Sequence, residues 1–181
     1  MLKIRIYKVG LVITIMMLAY SPPLIASNID TDFIVVFHNK INNHNDGFIN
    51  FSGKKTFVFD PTQLRWYAYD TKGSLVGSGR ASGGRGYCPD VKRRCRTPVG
   101  TFKVTRKGSS SCVSSKFPLG RGGAPMPYCM FFRGGYAIHG SYDVPNYNAS
   151  HGCIRVEPKA ARWLSHNFMD YGTTVVVRPY K

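Results

Sequence analysis

Short runs of β-favouring residues, each closed off by glycine, proline, asparagine or serine, recur from Lys55 to the end of the chain and leave room for one helix. Phe57-Val58-Phe59 leads through the turn Asp60-Pro61 into Leu64-Arg65-Trp66-Tyr67-Ala68-Tyr69, which is rich in aromatic and β-favouring side chains. Asp70-Thr71-Lys72-Gly73 is a turn, and Leu75 to Ala81 a third strand, so this part reads as a β-meander. Residues 82–98 carry three glycines, two prolines and two cysteines and are a loop; Val99 to Arg106 is the next strand. Residues 107–127 are a second loop, basic and rich in Gly, Ser and Pro. Tyr128 to Phe132, Tyr136 to Ile138, Ile154 to Val156 and Thr173 to Val177 complete the strands. The helical pattern runs from Pro158, suited to a first turn, to Met169, with Ala160, Ala161, Trp163, Leu164 and Phe168 on its apolar face. The expected fold is mainly β: one sheet or sandwich domain with a single C-terminal helix.

The N-terminal stretch has a different character. Lys3, Arg5 and Lys8 precede an apolar run from Leu11 to Ala19, then Ser21-Pro22-Pro23 and the small-residue site Leu24-Ile25-Ala26-Ser27. Residues 1–26 therefore read as an export signal, its run short for a membrane span of about 20 residues, with an uncleaved anchor as the alternative. The expected destination is the periplasm or cell envelope, with the membrane involved only through the signal. Residues 27–53 hold an expected strand, Phe33 to Phe37, and a polar loop at Ile41–Asn50; residues 54–181 form the main domain.

The charge is +16, and +13 without residues 1–26, which hold three of the basic residues and none of the acidic ones. Such an excess favours polyanions. The basic residues form no stripe with interleaved aromatics, so nucleic acid is not expected. Anionic envelope polymers are the nearer partners for an exported protein. The densest cluster, Lys92-Arg93-Arg94 with Arg96, sits around Cys95 in a loop.

Cys88, Cys95, Cys112, Cys129 and Cys153 make an odd count. In an oxidising compartment four pair and one stays free. Cys88 and Cys95 flank a short loop and are expected to pair locally, leaving Cys112 with Cys129; the spacing alone leaves the other two connectivities open. Cys153 is the natural free thiol, since a nucleophile must stay reduced. No C-x-x-C or H-x-x-x-H spacing supports zinc, so neither a metal nor any other cofactor is expected.

The densest chemistry is Ser150-His151-Gly152-Cys153-Ile154-Arg155, with His139 fourteen positions before the cysteine. A nucleophilic cysteine needs a partner for its proton and backbone N–H groups to hold an oxyanion. His139 is assigned as base, with His151 the alternative. The N–H groups of Gly152 and Cys153 are the expected oxyanion donors. Asp143 and Glu157 are the nearby acids that could orient the base. Arg155 divides between a site cation holding a substrate carboxylate and a solvent-facing strand residue. Ser150 reads as a turn-forming hydroxyl at the substrate site.

Ile138-His139-Gly140-Ser141 and Ser150-His151-Gly152-Cys153-Ile154-Arg155 together resemble the signature of the L,D-transpeptidase (YkuD-type) catalytic domain family. Upstream, Lys55 to Asp60 with Leu64 to Tyr69 resembles its opening hairpin, Ala81-Ser82-Gly83-Gly84 the segment after it, and Thr97-Pro98-Val99-Gly100-Thr101-Phe102 its T-P-x-G-x-F motif. The resemblance covers residues 54 to 178. It implies that the Gly140 carbonyl orients His139, and that Cys153 attacks a peptidoglycan tetrapeptide stem, forms a thioester and releases D-alanine. A neighbouring stem amine then makes a 3–3 cross-link. Water as acceptor would make an L,D-carboxypeptidase, and a lipoprotein lysine an anchoring enzyme. Only ten residues separate His139 from Ser150, fewer than in many members, which implies a short flap.

Two readings from other classes stand beside this one. A papain-like hydrolase places its cysteine before its histidine and near a helix start, the reverse of the order here. A non-catalytic, basic wall-binding module would carry a thiol that a β-lactam does not acylate.

Overall fold

The computed structural model describes the backbone of Phe33 and Ile34 and all of residues 53–181. The expected export signal, the rest of the Phe33–Phe37 strand and the Ile41–Asn50 loop lie outside the described residues.

The chain order is β1 (Phe33–Ile34), β2 (Thr56–Asp60), β3 (Arg65–Tyr69), β4 (Leu75–Ser82), β5 (Gly100–Lys103), β6 (Arg106–Lys107), β7 (Met130–Arg133), β8 (Tyr136–Gly140), β9 (Ile154–Val156), the helix α1 (Pro158–Trp163) and β10 (Thr174–Val177). They form one ten-stranded sheet in the order β5-β10-β2-β3-β4-β9-β8-β7-β6, with β1 added beside β4. The expected meander is β2-β3-β4, paired antiparallel. Asp60 shapes its first turn, its carboxylate accepting from the N–H groups of Thr62 and Gln63 at 2.9 and 3.0 Å.

Two features depart from the sequence reading. The expected strand Val99–Arg106 is two strands: β5 pairs with β10 at one end of the sheet and β6 with β7 at the other. Between them the Val104 N–H donates to Thr173 and the Thr105 N–H to Phe131, at 3.0 and 2.8 Å. Two successive residues thus tie opposite ends of the sheet together, and the sheet curls around its core. The Phe102 and Phe132 rings, 5.5 Å apart, fill the gap.

The helix is the second departure. It starts at Pro158 but is α-helical only to Trp163; Leu164–Phe168 widens into a π-turn, with the Met169 N–H reaching back to Leu164 at 2.7 Å. Ala160, Ala161, Leu164, Phe168 and Met169 are buried against the sheet. Trp66 anchors the core between Phe57 and Trp163, ring centroids 6.0 and 6.3 Å away.

Candidate active site

Strands β8 and β9 run parallel, with Ile138 opposite Ile154 and His139 opposite Arg155. Ile138 and Ile154 are fully buried and point into the core. Strand alternation then turns His139, Arg155 and Cys153 to the other face. There they line a cavity of about 770 Å³ together with Tyr136, His151 and Phe117. Among the described residues Cys153 is the free cysteine; the expected bridges Cys88–Cys95 and Cys112–Cys129 are both formed.

His139 is set by its neighbours. Its Nδ1 lies 2.9 Å from the Gly140 carbonyl, so an Nδ1–H donates there and Nε2 keeps its lone pair. Asp143 does not serve this purpose: its carboxylate accepts from Arg155 at 2.6 Å. Gly140 is needed for space, because a Cβ there would lie 3.0 Å from Pro127 and 3.2 Å from Ala161 and Pro158. A small residue on β8 lets α1 pack directly over the histidine-bearing strand.

Burial pushes the His139 imidazole down to about 4; the Gly140 carbonyl opposes this and the Arg155 charge adds to it. Burial raises the Cys153 thiol, against a backbone contact at Ala137 and the Arg155 charge, which lower it. The resting pair is therefore a neutral imidazole beside a neutral thiol. The imidazole can take the proton as the sulfur attacks, instead of storing it beforehand.

Gly152 has φ of +126°, and a Cβ there would sit 2.5 Å from the Tyr136 ring. Only glycine suits this turn. Its N–H, expected as an oxyanion donor, is engaged with Ser150 Oγ at 3.0 Å in the resting site, which leaves the Cys153 N–H as the donor candidate. Ser150 Oγ donates in turn to the Cys153 carbonyl at 2.5 Å, and Ser150 is buried. Ser150 shapes the turn before the nucleophile and borders the cavity.

His151 does not share the environment of His139. Its Nε2 contacts both oxygens of Asp90, at 2.7 and 3.0 Å, and its ring stacks on Phe117 with centroids 4.3 Å apart. Cys88, Asp90 and His151 place ligand atoms within 4.8 Å of one another, but the Cys88 sulfur is spent in its disulfide and cannot bind a metal. Asp90 and Phe117 are the functional-site neighbours that the sequence reading missed. The available signal was that Asp90 is the one acid inside the otherwise basic Cys88–Cys95 loop.

The segment Ala81–Gly84 backs the other side. Ser82 Oγ donates to the Tyr147 carbonyl at 2.8 Å and accepts from the Ala149 N–H at 3.1 Å. Gly83 and Ser150 are joined backbone to backbone at 2.9 Å.

With this geometry in view, the comparisons with known proteins agree. The model of the YkuD family, the L,D-transpeptidase catalytic domain, matches residues 54–177, and the chain belongs to this family. An L,D-transpeptidase from Xylanimonas cellulosilytica is similar at 34% identity and TM-score 0.60, over 69% of this chain and 60% of that one. An L,D-transpeptidase from Stackebrandtia nassauensis, at 21% identity and TM-score 0.58, shares the fold over 71% of this chain and 57% of that one. So does L,D-transpeptidase 3 from Mycobacterium tuberculosis, solved with a faropenem-derived adduct, at 23% identity and TM-score 0.57 over 70% of this chain and 60% of that one. The chain thus spans less than two thirds of these relatives. A search of curated proteins finds no match.

Proposed function

We propose that the protein is an exported cysteine L,D-transpeptidase that acts on peptidoglycan stem tetrapeptides in the periplasm or cell envelope. The observation that carries this reading is the free Cys153 thiol in one cavity with His139, whose Nδ1 is bound to Gly140. Cys153 Sγ attacks the carbonyl of the third stem residue as His139 Nε2 takes the thiol proton. The Cys153 N–H stabilises the oxyanion. The imidazolium then returns the proton to the departing D-alanine amine, leaving a thioester. His139 and Cys153 are the catalytic residues, and Arg155 holds a substrate carboxylate at the cavity wall. A stem amine resolves the thioester into a 3–3 cross-link. The fold neighbour with a faropenem-derived adduct supports a β-lactam as probe of the same thiol. Anionic envelope polymers attracted by the basic charge, +13 without residues 1–26, are the proposed secondary partners.

Incubation with purified tetrapeptide muropeptides, followed by mass spectrometry, tests this reading. Release of D-alanine with accumulation of dimers joined through two diamino acids is expected. Tripeptide monomer as the sole product would replace the transpeptidase with an L,D-carboxypeptidase, and no D-alanine release would remove the proposed donor.

A further inference from the structure

The first half of the nucleophile turn is held from two sides. On the buried side, Ser150 Oγ ties together the Gly152 N–H and the Cys153 carbonyl. On the open side, His151 is gripped at its edge by Asp90 and on its face by Phe117. These two partners come from separate loops, each closed by its own disulfide.

Asp90 sits in a single 3-10 turn, Pro89–Val91, inside the Cys88–Cys95 loop. That loop folds back on itself: the Cys88 N–H donates to Arg93 and the Arg93 N–H to Cys88, at 3.0 and 3.4 Å. The segment leading into the loop is fastened to the turn it faces, since the Arg85 N–H donates to the Ser150 carbonyl at 3.0 Å and the Arg85 guanidinium to the Ala149 carbonyl. Phe117 belongs to the loop closed by Cys112–Cys129, where its N–H donates to Ser114 Oγ at 2.9 Å. One imidazole therefore joins two disulfide-closed loops at the site.

We propose that Asp90 is a positioning residue for Cys153, acting through His151, and that the Cys88–Cys95 bridge keeps it within reach. Two peptide units separate the His151 α-carbon from that of Cys153, and the second residue is a glycine with little rotational restraint of its own. Fixing the imidazole fixes where the Gly152–Cys153 peptide points, and with it the Cys153 N–H that faces a developing oxyanion. Stability is a poor reason for the pair. Asp90 and His151 are both partly open to water, side-chain exposures 46% and 25%, where an ion pair contributes little to folding. Its geometry nonetheless confines the residue two before the nucleophile. The inference rests on the proposed role of Cys153.

The test is the rate of Cys153 acylation by imipenem in the oxidised protein, resolved into a limiting rate and a half-saturating concentration, with iodoacetamide alkylation as a measure of thiol access. Asp90→Ala is expected to lower the limiting rate roughly 10-fold to 100-fold, the scale for a misplaced reacting group. Half-saturation, melting temperature and alkylation should stay near their starting values, and Asp90→Glu should recover part of the rate. The double variant Asp90→Ala with His151→Gln should be no slower than His151→Gln alone, because one acts through the other. Cys88→Ser with Cys95→Ser should reproduce the Asp90→Ala loss. Losses that add in the double variant, or an Asp90→Ala protein acylated at the unmodified rate, would overturn the proposal. An unmodified protein that imipenem never acylates would sink the Cys153 mechanism itself, and this inference with it.

Discussion

The cavity has two walls, and each presents one histidine. The sheet wall carries His139 on β8, backed by fully buried Ile138 and Ile154 and covered by α1. The loop wall carries His151, held by an exposed carboxylate and one aromatic ring, with disulfides behind it. Burial makes the sheet-wall imidazole a neutral base with its tautomer set by a backbone carbonyl. On the loop wall a carboxylate and covalent bridges do what packing does on the other. On the proposed mechanism the same residue type serves proton transfer on one wall and placement on the other, and the surroundings decide which.

The comparison breaks most completely at Cys153. Cys153→Ala should abolish acylation and D-alanine release, while the melting temperature stays within a few degrees of the unmodified protein. Residual turnover would move the nucleophile elsewhere. Next in size is His139→Gln, expected to slow acylation by at least ~10²-fold, the usual scale of general acid–base help. If His151→Gln is the more damaging change, the two walls have been assigned the wrong way round.

Much of the sheet wall was legible in the sequence. Strands β2, β3, β8, β9 and β10 follow short apolar or aromatic runs bounded by turn residues, and the Ser150–Cys153 block marks the thiol. What could not be read depends on long-range pairing. Val104 and Thr105 are neighbours in sequence, yet they bond to opposite ends of the sheet, so one apparent strand became two. The neutral state of His139 is likewise a product of packing, since the burial that lowers its pKa exists only once distant strands have paired. Asp90 was hidden for another reason: nothing local distinguishes a carboxylate that neutralises nearby arginines from one that reaches sixty-one residues along the chain to His151.

Acid should separate the walls thermodynamically. Folded His139 titrates at about 4 and the unfolded imidazole at 6.5, so between those values the unfolded chain binds more protons. The contribution of neutral His139 is fully present above pH 6.5, declines as the pH falls, and is gone below about 4. From the size of that shift it amounts to about 3 kcal/mol. Unfolding midpoints in urea at neutral pH and near pH 4 should therefore differ more for the unmodified protein than for His139→Gln. Equal pH dependence in the two would mean that His139 is solvated in the folded protein.

The smallest effects are expected from the covalent supports of the loop wall. A bridge limits the unfolded chain with the logarithm of the loop it closes, so the 17-residue separation of Cys112–Cys129 and the 7-residue separation of Cys88–Cys95 differ modestly in effect. Chain entropy puts their contributions at about 3 and about 2 kcal/mol. Serine pairs at the two sites, compared by urea unfolding, should rank in that order. Their catalytic consequences should not follow the same ranking. The shorter bridge holds Asp90 at the edge of His151, whereas the longer one supports a ring that only stacks on it, so the less destabilising change should be at least as damaging to acylation. If activity instead tracks stability across the two variants, the bridges act through folding alone, and the loop wall has no positioning role separate from that of the sheet.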